Sequence, residues 1–381
     1  MTADPARVLV VGGGPGGLEA VLALQAQAGD RVRPALLSAE PHFTYRPWAV
    51  AEPFGLGSSV RVDLAAFAFE RGVELHHGAV RTVDADARRV HTDDHALDYD
   101  VLVLALGARP SVAVPGALTF RGPQDATGLR IALRERAHHH GARVAYVAGR
   151  SCSWPLPAYE LALMTTTWGR REGVELDVCI VTAEHRALEA FGEATSGEVA
   201  DLLRARGVAL HVDAPVESYH AGCLTLPMGG TIPADLAVAL PALTGPAVEG
   251  LPGDALGFVP VDDLGRVEGL DDVYAVGDMT ARALKQGGLA AQQADVAAAA
   301  AIAAGLGATV PVEPYRPVLR AMLLTGEAPV FLRHPAPPAA PRPSSTTEAP
   351  WWPPHKIAGA HLAPYLATHA ELLETVTADA R

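Results

Sequence analysis

Val8-Leu9-Val10-Val11-Gly12-Gly13-Gly14-Pro15-Gly16-Gly17-Leu18 is the stretch on which the fold turns. Its apolar start predicts a short buried strand over Arg7 to Val11, and the spacing from Leu18 to Ala28 predicts a helix that Gly29 stops. Between them stands Gly12-x-Gly14-x-x-Gly17, and a second strand, Val32 to Ser38, leads to the acidic Glu40. Glycines at this spacing permit a tight turn and bring a helix N-terminus close to a pyrophosphate, while a carboxylate after the next strand takes ribose hydroxyls. In a chain with 37 glycines the spacing alone is weak, so the strand, the helix and the acid carry the reading. They predict a dinucleotide site without saying which dinucleotide.

Outward from that unit, the Pro-rich stretch from Glu40 to Gly57 reads as an extended loop. Short strands are expected at Val73 to His76, Val80 to Asp84, Arg89 to Thr92 and Tyr99 to Ala105, the last apolar throughout and therefore central in a sheet. A second αβ series follows: helix Ala126 to His139, strand Arg143 to Val147, helix Tyr159 to Arg171, strand Leu176 to Thr182 and helix Ser196 to Arg206. Val318 to Leu324 and Val330 to Arg333 read as a hairpin, His334 to Pro354 as a Pro-rich linker, and Ala360 to Val376 as a helix without a basic face.

The chain has 381 residues, enough for two or three domains. Its net charge of -13 excludes the basic stripe that a nucleic acid partner needs. No uninterrupted apolar run reaches the ~18 residues of a membrane span. The first residues lack a basic leader pattern, and the 3 cysteines are too scattered for a disulfide framework or a zinc site, so the compartment is read as cytoplasmic. His138-His139-His140 diverge around a helix end and give no metal site.

Further segments carry a resemblance. Leu104-Ala105-Leu106-Gly107-Ala108-Arg109-Pro110 and Val273-Tyr274-Ala275-Val276-Gly277-Asp278 resemble the second and third FAD-contacting segments of the pyridine nucleotide-disulfide oxidoreductase superfamily. Phe43-Thr44-Tyr45-Arg46-Pro47 with Ala51-Glu52-Pro53-Phe54, Trp154-Pro155-Leu156-Pro157-Ala158-Tyr159-Glu160, and Lys285-Gln286-Gly287-Gly288-Leu289-Ala290 are similar to its branch of sulfide:quinone oxidoreductases, flavocytochrome c sulfide dehydrogenases and type II NADH dehydrogenases. The likeness runs from about residue 6 to residue 365.

The resemblance implies an α/β fold with two Rossmann-like, three-layer dinucleotide-binding domains, the second inserted in the first, plus a small C-terminal region. Expected boundaries are 1–115 and 243–310 for the FAD-binding domain, 116–242 for the degenerate NAD-type domain and 311–381 for the C-terminal part. FAD is the implied cofactor, held by Gly12, Gly14, Pro15, Gly16, Gly17, Glu40, Arg46, Val80, Ala105, Gly107, Gly277, Asp278, Gly288 and Leu289. Asp278 would accept a hydrogen bond from the ribityl chain, although an aspartate after a strand also reads as a helix N-cap. Gly287 and Gly288 would open a helix whose N-terminus stabilises negative charge on reduced flavin; Lys285 would add to that field or reach to solvent.

Two departures bear on the electron donor. The branch's sulfide enzymes use a cysteine pair, yet no cysteine follows Cys223, and Cys152 near the first expected position reads first as an inert loop residue and second as a reactive thiol. The second nucleotide loop, Ala148-Gly149-Arg150-Ser151-Cys152-Ser153-Trp154-Pro155-Leu156-Pro157, holds one glycine, which leaves NAD(P)H weakly supported. Glu160 is a proton-handling carboxylate or a first-turn helix residue. The expected catalytic set is Glu160, Cys152 and Lys285, moving two electrons from a small donor through flavin to a quinone or soluble acceptor. A flavin-binding sensor without turnover is the other reading. Peripheral membrane contact through Trp351-Trp352 and a homodimer stay open.

Overall fold

The structure is a computed structural model and describes residues 4–306, 312–335 and 345–368. Strand β1 (Ala6–Val11), helix α1 (Pro15–Ala28) and strand β2 (Val32–Ser38) form the opening unit. β1 is the centre of a five-stranded parallel sheet that runs 273–275, 101–104, β1, β2, 74–77. Alternation along the strand decides its two faces. Val8 and Val10 pack beneath Leu18, Val21 and Leu24 of α1, whereas Leu9 and Val11 join Val83, Val90, Val259 and Val267 on the other side. Each such side chain taken from water contributes about 1.5–3 kcal/mol.

A second five-stranded parallel sheet is built entirely from residues 118–239, in the order 118–119, 236–239, β3 (Ala142–Ala148), β4 (Leu176–Thr182), 208–211. Helix α2 (Leu156–Glu172) joins β3 to β4 and buries Tyr159, Leu161, Leu163 and Met164. The chain then returns to the first sheet, where Val273 to Ala275 pair in parallel with Leu102 to Leu104. The second Rossmann-like unit is thus inserted between two neighbouring strands of the first. Helix α3 (Gly287–Gly305) packs its alanines against α1. No helix among the described residues is long and apolar enough to cross a membrane.

The C-terminal part holds the expected hairpin, Val318–Leu323 against Val330–Pro335, tied to α2 where Thr167 Oγ1 donates to Thr325 O at 2.8 Å. Its final helix is described over Leu362–Thr368, with Tyr365 edge-on to Phe67; residues 369–376 of the expected helix lie outside the described residues.

Some expectations are corrected. Residues 40–57 are not an extended loop: His42–Tyr45 pair antiparallel with Val60–Asp63, and Arg46–Phe54 wind into 3-10 turns that bury Ala49, Val50 and Ala51 against the second unit. Pro47 at the start of those turns supplies the φ they need. A helix at Leu64–Arg71 lies between them and strand 74–77, capped by Asp63 Oδ1 on the Ala66 amide at 2.9 Å and ended by Gly72 in the left-handed region. The meander closes with Ala96–Asp98, leaving Val101–Leu104 to the parallel sheet.

Candidate functional site

The turn between β1 and α1 is held by close backbone approaches. A Cβ on Gly17 would fall 1.7 Å from Gly12 O, and one on Gly12, where φ is +120°, would fall 2.2 Å from Ala105 O. Gly16 meets Val276 at 3.1 Å in the same sense. These glycines let α1 abut both neighbouring strands. Gly14 differs: nothing stands within 4 Å of its Cβ position, which opens on the cleft at the N-terminus of α1.

That cleft has a volume of about 940 Å³ and is walled by both Rossmann-like units and the C-terminal part. The first unit contributes Gly12, Gly14, Pro15, Gly16, Glu40, Arg46, Ala105, Gly107, Gly277 and Asp278; the second brings Cys152 and Glu160. Lys285 enters from the segment before α3, and Lys356 with Ile357 from the C-terminal part. Four predicted binding residues lie off this wall. Val80 packs against the core of Leu9 and Val11, Gly17 is buried behind the turn, and Gly288 and Leu289 sit inside α3, where the Leu289 amide is already bound by Gln286 Oε1 at 2.9 Å.

Asp278 stands at the end of strand 273–275, and its turn is fixed by Gly277 N donating to Gln293 Oε1 of α3 at 2.7 Å. It caps no helix, and its carboxylate accepts no hydrogen bond from a described residue. Burial pushes that carboxyl above its ordinary range, while the charges of Lys285 and Arg46 pull it back. Lys285 does not reach solvent. Its ammonium donates to Thr280 O and lies 3.9 Å from the Phe258 ring centre, and burial lowers it to about 8 against the opposing pull of Asp278 and Asp254.

Glu160 and Lys356 form a buried ion pair at 2.5 Å on the far wall. Glu160 Oε1 also accepts the Leu324 amide at 3.0 Å, and Lys356 Nζ donates to Pro47 O at 3.1 Å. Burial raises the carboxyl and lowers the ammonium, each opposed by its partner. Lys356 belongs to a strap pinned along its length: Ile357 N donates to Tyr45 Oη at 3.0 Å, and His361 N and Leu362 N donate to Glu19 at 2.7 and 2.6 Å. No local pattern marks Lys356, a lone lysine after a Pro-rich stretch whose partner lies 196 residues away.

Cys152 lines the cleft in the turn after β3, and burial pushes its thiol up to about 12. It is a thiol rather than a thiolate near neutrality. No other cysteine lines the cleft: Cys179 lies in β4 and Cys223 in strand 223–225. Of the two C-terminal tryptophans, Trp351 stands edge-on to Phe331 and Trp352 is exposed.

Comparison with known proteins fits this architecture. The model of the pyridine nucleotide-disulphide oxidoreductase family matches residues 6–301. The demethylphylloquinone reductase NdbB of Synechocystis sp. is 26% identical over 62% of this chain, a match that spans 62% of the relative's length. The sulfide:quinone oxidoreductase of Aquifex aeolicus superposes with a TM-score of 0.78 at 21% identity, covering 98% of this chain and 92% of that one. An NAD-dependent persulfide reductase from A. fulgidus gives 0.61 at 19% identity, over 85% and 63%. At these identities the two structures establish likeness of fold.

Proposed function

As the chain belongs to the pyridine nucleotide-disulphide oxidoreductase family, an FAD-binding family of oxidoreductases, we propose that it carries two electrons from a small reductant through its flavin to a quinone. The residues present fit FAD. The open space at Gly14 and the N-terminus of α1 suit a pyrophosphate, exposed Glu40 suits ribose hydroxyls, and the unpartnered carboxylate of Asp278 suits a hydroxyl of the ribityl chain. Bound there, FAD supplies two-electron redox chemistry.

The other roles fall to the chain's own side chains. Lys285 and the N-terminal amides of α3 present positive potential on the cleft, which favours a reduced, negatively charged ring. Reducing a quinone consumes protons as well as electrons, and the Glu160–Lys356 pair holds one in the cleft wall, shared over 2.5 Å. A carboxyl displaced upward beside an ammonium displaced downward brings the two groups closer in proton affinity, which suits proton transfer between them. That buried pair facing the flavin cleft is the observation that carries the quinone reading. The quinone acceptors named for the Synechocystis and Aquifex proteins support it.

A thiol-relay route from sulfide is disfavoured by the protonated Cys152 and by the lack of a second thiol in the cleft. Anaerobic reduction of the purified protein, followed by addition of a short-chain quinone, tests the proposal. Rapid return of the oxidised flavin band is expected. A reduced flavin that persists with excess quinone would refute the acceptor assignment.

A further inference from the structure

The second Rossmann-like unit repeats the first closely enough to be compared with it residue by residue. β2 ends at Ser38 and is followed by Ala39 and Glu40; β4 ends at Thr182 and is followed by Ala183 and Glu184. In each, the strand's last hydroxyl accepts the acid's amide, Glu40 N to Ser38 Oγ at 3.2 Å and Glu184 N to Thr182 Oγ1 at 3.2 Å. Glu184 therefore occupies, in the second unit, the position from which a dinucleotide's ribose hydroxyls are bound.

Their carboxylates have opposite fates. That of Glu40 is exposed at the cleft and accepts no hydrogen bond from a described residue. Glu184 is half-buried and bound within the unit: Oε2 accepts from Tyr159 Oη at 2.8 Å and Thr182 Oγ1 at 3.0 Å, and Oε1 accepts from Glu189 N at 3.0 Å. Tyr159 Oη in turn accepts the Leu188 amide at 3.3 Å, so the segment after β4 is drawn down onto α2. Phe191 on that segment stacks at 6.0 Å, tilted, against Trp154 of the turn after β3. Aromatic bulk thus stands at the end of the turn that leads into α2, while Arg150 and Ser151 at its start are exposed. The turn itself offers few donors, because Pro155 caps α2 and Pro157 stands in its first turn.

We propose that the second Rossmann-like unit is closed to nicotinamide dinucleotides by its own side chains, with Glu184 held by Tyr159, Thr182 and Glu189, and Trp154 with Phe191 crowding the end of the turn. The electron donor is then a small reductant that enters the flavin cleft directly. This rests on the reading of the chain as a flavin oxidoreductase.

The test is an anaerobic titration of the flavin-loaded protein with NADH and with NADPH, read by the flavin band and by calorimetry. No bleaching and a Kd above ~1 mM are expected. Stoichiometric bleaching, or a Kd below ~0.1 mM, overturns the proposal. The paired substitution Trp154→Gly with Tyr159→Phe clears the end of the turn and loosens Glu184, and it should bring NADH binding at least tenfold tighter than in the parent protein. Unchanged affinity in a variant that still loads flavin would refute closure by these side chains. Dithionite reduction followed by quinone is run alongside. A flavin that dithionite fails to reduce counts against the oxidoreductase reading, one that quinone fails to reoxidise counts against the acceptor assignment, and nucleotide binding counts against the closed unit.

Discussion

Lys356 Nζ lies 2.5 Å from Glu160 Oε1, and neither residue is more than 7% exposed. The two come from the strap and from the second Rossmann-like unit, so the pair is also a tie between distant parts of the chain. Lys356→Met leaves Glu160 buried without its countercharge and is expected to destabilise the protein by about 3–5 kcal/mol, whereas Glu160→Leu combined with Lys356→Met should recover most of that loss. Denaturant unfolding of the three proteins measures it. A double variant no more stable than the single one would show that charge burial is not the cause.

Asp278→Ala removes an acceptor that the protein leaves without a partner. Losing a hydrogen bond to a charged group costs about 1.5–3 kcal/mol, so flavin affinity should fall roughly tenfold to a hundredfold while the circular dichroism of the protein is unchanged. The flavin-to-protein ratio after gel filtration reports the outcome, and full retention would remove Asp278 from the flavin site.

Gly17 and Gly14 should separate folding from cofactor binding. Gly17→Ala drives a Cβ to 1.7 Å from Gly12 O, a backbone atom that cannot step aside, and a loss of more than about 4 kcal/mol or insoluble expression is expected. Gly14→Ala meets nothing within 4 Å, so the flavin-free protein should keep its stability within about 0.5 kcal/mol yet bind FAD poorly. Equal behaviour of the two variants would contradict the geometry of the turn.

Asp295 on α3 adjoins buried Glu19, and burial with that neighbour raises its carboxyl to about 8. In the unfolded chain an aspartate titrates near 3.9. The folded state therefore holds a proton that the unfolded state releases. Its stabilising effect is complete below pH ~4 and is lost as pH rises toward 8. Melting curves from pH 5 to pH 9 should show a decline of several degrees that Asp295→Asn flattens. A variant as pH-sensitive as the parent would assign the decline to other groups.

What the sequence disclosed was whatever local periodicity and glycine chemistry encode. The first unit, the resemblance carried by 273–278 and the return to the first sheet were all legible because each is written in contiguous residues. The helix at Leu64–Arg71 carries its own signals, the Asp63 cap and the Gly72 stop, but at eight residues it is too short for a sustained period to stand out. Residues 46–54 depart from the expected extension because burial of Ala49, Val50 and Ala51 rewards winding, which the prolines do not signal. Val80 enters the expected flavin site by likeness alone, and its side chain packs beside Leu9 and Val11. Lys356 and the internal bonding of Glu184 depend on contacts between remote segments, which no local pattern records.

The strap from Lys356 to Leu362 has a consequence for the order of biosynthesis. A chain emerging from the ribosome completes both parallel sheets and the glycine turn before residue 300, yet Lys356 and Ile357 are still unmade and one wall of the cleft is missing. The amides of His361 and Leu362 reach Glu19 only after residues 361 and 362 have been added, well after the glycine turn. The wall that Lys356 and Ile357 give the cleft is thus laid down later in the chain than every other part of its lining.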